Sequence, residues 1–416
     1  MNDRVDSTSS TLEDLDRLRQ PDEARSIVLE HAHLLPVESV ELAQSRGRVL
    51  AETISATGDH PPFAAATMDG YAVLAEDSSP WREIIGEQTA GFVAPLEVTP
   101  GVAVRITTGA PIPPGADAVI QIEHTELADD HVVIHQEVVR PGENIRPVGA
   151  DLKQGETVLP AGTVLGPAEI GLLAGLGVTP VPVRRRPRVS IISTGDELVE
   201  PDSPVGPGQI RDSNRFSLIA AVSELGDVIA AEKAPDQQDQ LETLLRDRIA
   251  ASDIVITSGG VSMGQLDLVK VILGQLATVH FRRIFMKPGK PLNFATAGDT
   301  LIFGLPGNPV SALVNFEVFI RPAMATMMGQ VNPDRPRVRV ALAHDVTPTD
   351  RIELQRATVR VTSEAALVAK TTGVQASSRL ASFVGANALL VIPPRETPYK
   401  AGETVDALML APPENE

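Results

Sequence analysis

Between Arg188 and Pro309, short apolar runs alternate with stretches long enough to form helices. The runs at 189–192, 227–231, 254–257, 280–285 and 301–303 predict strands. The clearest helix spans 237–250, where Leu241, Leu244, Leu245 and Ile249 share one face. Strands joined by helix-length crossovers imply a parallel, doubly wound α/β sheet, which binds ligands beyond the carboxyl ends of its strands. A last helix is expected to open at Asn308-Pro309, with Asn as cap and Pro in the first turn, and to end or kink at Pro322.

The pattern changes on either side. Residues up to about Ser10 are polar and are predicted to be disordered. A helix is predicted from Pro21 to about His33, with Asp22 and Glu23 near its positive end and Ile27 and Leu34 among its apolar positions. A second is predicted over 37–45, ending before Gly47. From 54 to 145 short alternating strands, such as 102–106 and 132–134, are broken by Pro and Gly, which predicts a separate β-rich domain. Alternation returns after Arg335, at 338–342 and 388–392, so a small C-terminal β domain is expected. No tandem repeat of fixed period is present.

Composition narrows the function classes. A chain of 416 residues exceeds the roughly 250–300 that one core supports, so three or four domains are expected. No stretch reaches the ~18 uncharged apolar residues of a membrane span. Met1 to Ser7 lacks a basic region followed by an apolar one, so no signal or transit peptide is expected and a cytoplasmic location follows. The net charge of −18 argues against nucleic acid or an anionic membrane as a bulk partner. With no cysteine, the chain has no disulfide, thiolate nucleophile or zinc–cysteine site, and sulfur for a soft metal must come from the ligand. The eight histidines lack His-Glu-x-x-His spacing, and His31-Ala32-His33 reads as helix surface.

The candidate chemistry lies in four loops, each following an apolar run: 193–197 (Ser-Thr-Gly-Asp-Glu), 258–262 (Ser-Gly-Gly-Val-Ser), 287–291 (Lys-Pro-Gly-Lys-Pro) and 304–309 (Gly-Leu-Pro-Gly-Asn-Pro). Glycine lets backbone N–H groups approach an anion, and a following helix adds partial positive charge. Ser193, Gly195, Ser258, Gly259, Gly260, Ser262, Gly289, Pro306 and Asn308 are therefore substrate-binding candidates. Lys287 and Lys290, spaced by a Pro-Gly turn, can aim two ammonium groups at one anion, and Arg283 extends the positive patch. Glu197, Asp236 and Asp267 are candidate oxygen ligands for Mg²⁺ beside a phosphoanhydride, and Asp196 lies at the same strand end as Glu197. In the β-rich part, Thr67-Met68-Asp69-Gly70-Tyr71-Ala72 and Thr107-Thr108-Gly109-Ala110-Pro111 are turns by composition alone.

These motifs carry a resemblance. From about Pro21 to Pro393 the chain resembles the MoeA family of molybdopterin molybdenumtransferases, and it is similar to the E domain of gephyrin and its plant counterpart. The motifs fall in the family's order: Met68-Asp69-Gly70-Tyr71-Ala72-Val73, Thr108-Gly109-Ala110-Pro111, Glu143-Asn144-Ile145-Arg146, then the four glycine loops, the first extended to Leu198. The resemblance implies insertion of molybdate into adenylylated molybdopterin (molybdopterin-AMP), with Mg²⁺-dependent loss of AMP. It also implies an elongated homodimer of four-domain subunits, the α/β domain facing a β-rich domain of the partner subunit. Site residues carried over are Asp69, Thr108, Arg146, Asp151, Glu197, Asp236, Asp267, Lys287 and Lys290. An adenylyltransferase and apo-molybdoenzymes follow as possible partners. The implied division is 21–53 with 147–186 as linking domain, 54–146 β-rich, 187–332 α/β, and 333–416 a C-terminal β-barrel-like domain. One departure is Arg146-Pro147-Val148-Gly149, where family members often continue the basic run, which implies weaker anion attraction there.

Three other readings stand beside it. Tungstate insertion uses the same pocket chemistry. A non-catalytic molybdopterin-binding scaffold would not need Asp69, Glu197, Asp267 and both lysines intact. A general nucleotide-binding enzyme is disfavoured, because there is no Gly-x-x-x-x-Gly-Lys-Ser/Thr loop and no Gly-x-Gly-x-x-Gly opening a helix after a strand.

Overall fold

A computed structural model describes residues 15–234, 237–259 and 268–415. The N-terminal stretch expected to be disordered, together with Asp236, Gly260, Ser262 and Asp267, lies outside the described residues. The chain divides into two compact units, one made of Glu52–Ala161 and Gly166–Thr179, the other of the remaining chain.

The larger unit is built on a seven-stranded sheet in the order Leu18–Arg19, Thr278–Ile284, Pro291–Ala297, Thr300–Leu305, Ile254–Ser258, Arg188–Ser193, Asp227–Lys233. All strands share one direction except Pro291–Ala297. Successive strand residues point to opposite faces, and here both faces are covered. Ile191, Ile254, Ile256 and Phe303 enter a core that includes Leu218 and Val222 of helix Asn214–Ser223 and Val310 and Val314 of helix Pro309–Asn315. Ile192, Val255 and Ile302 enter the opposite core, with Leu241 and Leu245 of helix Gln238–Ala251. Double burial is why these strands read as continuous apolar runs, and it gives the doubly wound, mostly parallel arrangement.

The antiparallel strand is where the sequence reading fell short. Pro291–Ala297 forms a hairpin with Thr300–Leu305, in which Ala297 pairs with Thr300 across Gly298 (φ +58°) and Asp299. The same unit ends in a closed barrel of five strands, Arg337–Leu342, Ile352–Val361, Leu367–Thr371, Ala388–Ile392 and Thr404–Met409, around Val340, Val359, Ala369, Leu390 and Ala407.

Four local expectations need correction. Residues 37–45 are a strand, Val37–Val40, and one tight turn, Leu42–Gln44. The strand pairs antiparallel with Val181–Arg184, so tertiary pairing and two β-branched valines override the helical pattern. The first helix ends at Glu30, which leaves Leu34 exposed, while Ala24 and Val28 are the buried positions. His31 is not helix surface: it lies 4.1 Å from the His280 ring, centroid to centroid. At Pro322 the chain remains helical, because a wide turn at Phe316–Ile320 precedes helix Arg321–Met327 and accommodates the missing N–H.

The smaller unit carries a six-stranded sheet in the order Ala118–Gln121, Gly70–Val73, Val102–Ile106, Trp81–Gln88, His131–Ile134, Thr125–Ala128. Ala72, Val104 and Val119 pack on one face and Tyr71, Ala103 and Ile120 on the other. No helix among the described residues is long and apolar enough to cross a membrane.

Candidate active site

Three of the glycine loops, and the start of the fourth at Ser258-Gly259, lie along one edge of the larger sheet. Parallel register aligns Ser193 with Ser258 and Ser258 with Leu305, so three strands end side by side. The lysine loop joins the same edge, since Arg283 near one strand's end pairs with Pro291 at the next strand's start, and Ile284 donates its N–H to the Lys290 carbonyl. Thr194 donates its N–H to the Ser258 carbonyl at 2.8 Å, and Gly259 donates to Leu305 at 3.0 Å. Gly259 has φ +95°, and a Cβ there would collide with the Thr194 carbonyl oxygen.

Beneath this edge lies a polar floor that was not read from the sequence. Asn214, the first residue of its helix, donates Nδ2–H to Ser258 Oγ and to the Gly307 carbonyl, each at 2.8 Å. It ties two of the loops together. Asp212 is buried and accepts the Arg215 N–H at 3.1 Å. The readable signal was Asp212-Ser213-Asn214 ahead of an apolar run, a helix-start signature. Ser193 Oγ, also buried, has no hydrogen-bond partner among the described residues.

Of the three candidate Mg²⁺ ligands, Glu197 is the one within the described residues. It is exposed and curls back over its own loop, its Oε2 2.5 Å from where a Cβ on Gly195 would stand. Among the described residues no group of three acidic or histidine side chains forms a metal-binding cluster. Asn308 sits at the helix cap position without a side-chain capping bond, so its amide is not consumed by the helix it precedes.

The lysine loop spans two layers of the unit. Met286–Lys287 leaves the sheet and pairs parallel with Ile352–Val361 of the barrel, placing Lys287 opposite Glu353. Arg356, three residues further along that strand, is fully buried. Burial, partly opposed by Glu353, pulls its guanidinium down to about 10. It donates Nε–H to Ser382 Oγ at 3.0 Å, while Nη1 has no partner among the described residues. The sequence signal was two charged residues inside a strand buried on both faces, visible only once the barrel closes.

Asp69, Thr108, Arg146 and Asp151 belong to the smaller unit and make a second group. The Thr108 N–H and hydroxyl both donate to Asp69 Oδ1, at 2.6 and 2.8 Å. Those two bonds, backbone first, hold the Asp69 carboxyl below the usual carboxylate range, with Arg105 adding to the effect. Ala66 pairs with Ile145 and donates its N–H to the Ala110 carbonyl, so the loops around Asp69, Thr108 and Arg146 are stitched together. Arg146 and Asp151 form an exposed ion pair, whose hydrogen bond lowers the Asp151 carboxyl and raises the Arg146 guanidinium.

Comparison with known proteins identifies the family. Family models match at residues 19–177 (MoeA N-terminal region, domain I and II), 190–326 (probable molybdopterin binding domain) and 339–410 (MoeA C-terminal region, domain IV). A molybdopterin molybdenumtransferase from Haemophilus influenzae is 37% identical over 92% of this chain and 96% of its own. The chain belongs to the MoeA family. A gephyrin from Dictyostelium discoideum is 38% identical over 94% of this chain, which spans 62% of that protein. A solved molybdopterin biosynthesis MoeA protein from Pyrococcus horikosii superposes with a TM-score of 0.82 at 30% identity, covering 95% of this chain and all of that one.

Proposed function

We infer that this MoeA-family chain is a molybdopterin molybdenumtransferase of molybdenum cofactor biosynthesis, which inserts molybdate into molybdopterin. The finer reading, proposed here, is that the acceptor is adenylylated molybdopterin and that AMP leaves as molybdate enters. The observation that carries it is the row formed along one sheet edge by the loops at 193–197, 287–291 and 304–309 and by Ser258-Gly259, a row that includes Lys287 and Lys290.

In this reading the backbone N–H groups of Gly195, Gly307 and Asn308 hold the pterin phosphate, with Ser193, Ser258, Ser262 and the Asn308 side chain as further donors. Lys287, Lys290 and Arg283 draw the molybdate dianion in and hold it. Oxyanion and phosphoanhydride are thereby brought together before reaction, the main contribution expected of such a site. The sulfur ligands come from the pterin dithiolene, which suits a chain without cysteine. Mg²⁺ needs one or two carboxylates alongside substrate phosphates, a demand that Glu197 fits, with Asp236 and Asp267 as the other proposed ligands. When bound, it would neutralise charge on the anhydride as AMP departs.

Asp69, Thr108, Arg146 and Asp151 complete the proposal as the contribution of a second copy in a homodimer. The division into 21–53 with 147–186, 54–146, 187–332 and 333–416, a cytoplasmic location, and hand-over from an adenylyltransferase and to apo-molybdoenzymes belong to the same reading.

Variants test the assignment. Lys287→Ala and Asp69→Asn should each slow molybdate-dependent AMP release by about 100-fold, the scale of losing one preorganised donor, with a folded circular dichroism spectrum; Lys287→Ala should also lower the melting temperature, because it leaves the buried Glu353 without its partner. Asp267→Asn should behave likewise. Wild-type rates, or unfolding of these variants, would remove the residues from the active site.

A further inference from the structure

The lysine loop is held from two sides by buried side chains. On one side Glu353, whose side chain is 5% exposed, places Oε1 3.5 Å from Lys287 Nζ. Its Oε2 is buried without a hydrogen-bond partner among the described residues. Arg356 on the same strand also interacts electrostatically with that carboxylate. Lys287 also acts on the exposed carboxylate of Asp350. On the other side is Asn315, fully buried at the end of its helix, whose amide Oδ1 would stand 2.9 Å from a Cβ on Gly289. A side chain at Gly289 would therefore collide with Asn315, so the turn between the two lysines is packed as a glycine.

A lysine ammonium on a four-carbon stem samples many rotamers, and an exposed partner fixes it poorly. Glu353 is nearly buried, is set opposite Lys287 by strand register, and keeps one oxygen unspent. We propose that Glu353 is a positioning residue: it holds the Lys287 ammonium at the sheet edge where the strand ends lie side by side, so the C-terminal barrel takes part in the reaction. This rests on the transferase reading of Lys287. Glu353 touches neither reactant in this scheme; it acts through the lysine.

A double-mutant cycle on the full-length protein separates this from simple seating of the barrel. The four proteins are wild type, Glu353→Gln, Lys287→Ala and the double variant, assayed by molybdate-dependent AMP release. Glu353→Gln is expected to lower kcat by about 10–100-fold, as loss of a supporting partner does, and to change KM for the pterin nucleotide by less than about 2-fold. Glu353→Asp should recover part of the loss. In the Lys287→Ala background the Glu353→Gln change should alter the rate by less than about 2-fold. If Lys287→Ala turnover falls below detection, Lys287→Gln takes its place, and if Glu353→Gln does not fold, Glu353→Asp does. The same fold loss in both backgrounds, or none in either, would overturn the proposal. Lys287→Ala at the wild-type rate would instead overturn the active-site reading on which it rests.

Discussion

Gly259 admits no side chain, because its left-handed φ and its contact with the Thr194 carbonyl each exclude a Cβ. Gly259→Ala should cost about 1–3 kcal/mol of stability, seen as a lower melting temperature, and should disturb the neighbouring Thr194–Ser258 hydrogen bond. His280 gives a pH prediction. Burial first, and then the neighbouring His31, lower it from 6.5 to about 4. The unfolded chain therefore takes up a proton that the folded chain refuses over that interval, and stability should fall as pH drops from about 6.5 to about 4. Above that interval His280 contributes no pH dependence. His280→Gln, which keeps a donor for Thr296 Oγ1, should lose this dependence in a series of melts across pH. At this scale the sequence was legible wherever chemistry is local, as with two lysines around Pro-Gly or glycines after apolar runs. Asn214 and Glu353 were not legible, because their partners Ser258 and Lys287 lie on other strands and meet them only through tertiary pairing.

The elements follow the same rule. The central strands at 188–193, 254–258 and 300–305, nearly all buried, show as apolar runs, and the five strands expected between 189 and 303 all exist. Pro291–Ala297 did not show as such a run, because Pro, Asn and Thr dilute its apolar content and a loop before the next strand looked sufficient. Gly298-Asp299 was its hairpin signal. Its importance is testable at Phe294, which is fully buried, with ring centroids 5.6 Å from Phe281 and 5.1 Å from Phe303. Phe294→Ala should cost about 3–5 kcal/mol, and should lower the unfolding temperature without altering the loops' sequence or charge. A loss below 1 kcal/mol would mean the strand does little to support the edge that carries Lys290. The missed Val37–Val40 strand has a different cause: four mostly exposed residues take their conformation from pairing with Val181–Arg184.

For the whole molecule, the sequence indicated several cores and a change of character near residue 54, and the structure has two compact units whose chain segments interleave. Interleaving was invisible to periodicity, since 162–165 rejoins the larger unit through pairings such as Val49 with Val164. The proposed homodimer predicts a sedimentation mass about twice 44.1 kDa at micromolar concentration. A monomer mass at concentrations where the protein turns over would exclude a site completed by a second copy. The central claim is tested most directly by supplying the purified protein with adenylylated molybdopterin, Mg²⁺ and molybdate, and following AMP release together with activation of an apo-molybdoenzyme. AMP release that requires molybdate and yields active enzyme is the predicted result. Tight binding of the pterin nucleotide with no AMP release under any metal would contradict it, and would leave the row of glycine loops as a binding site alone.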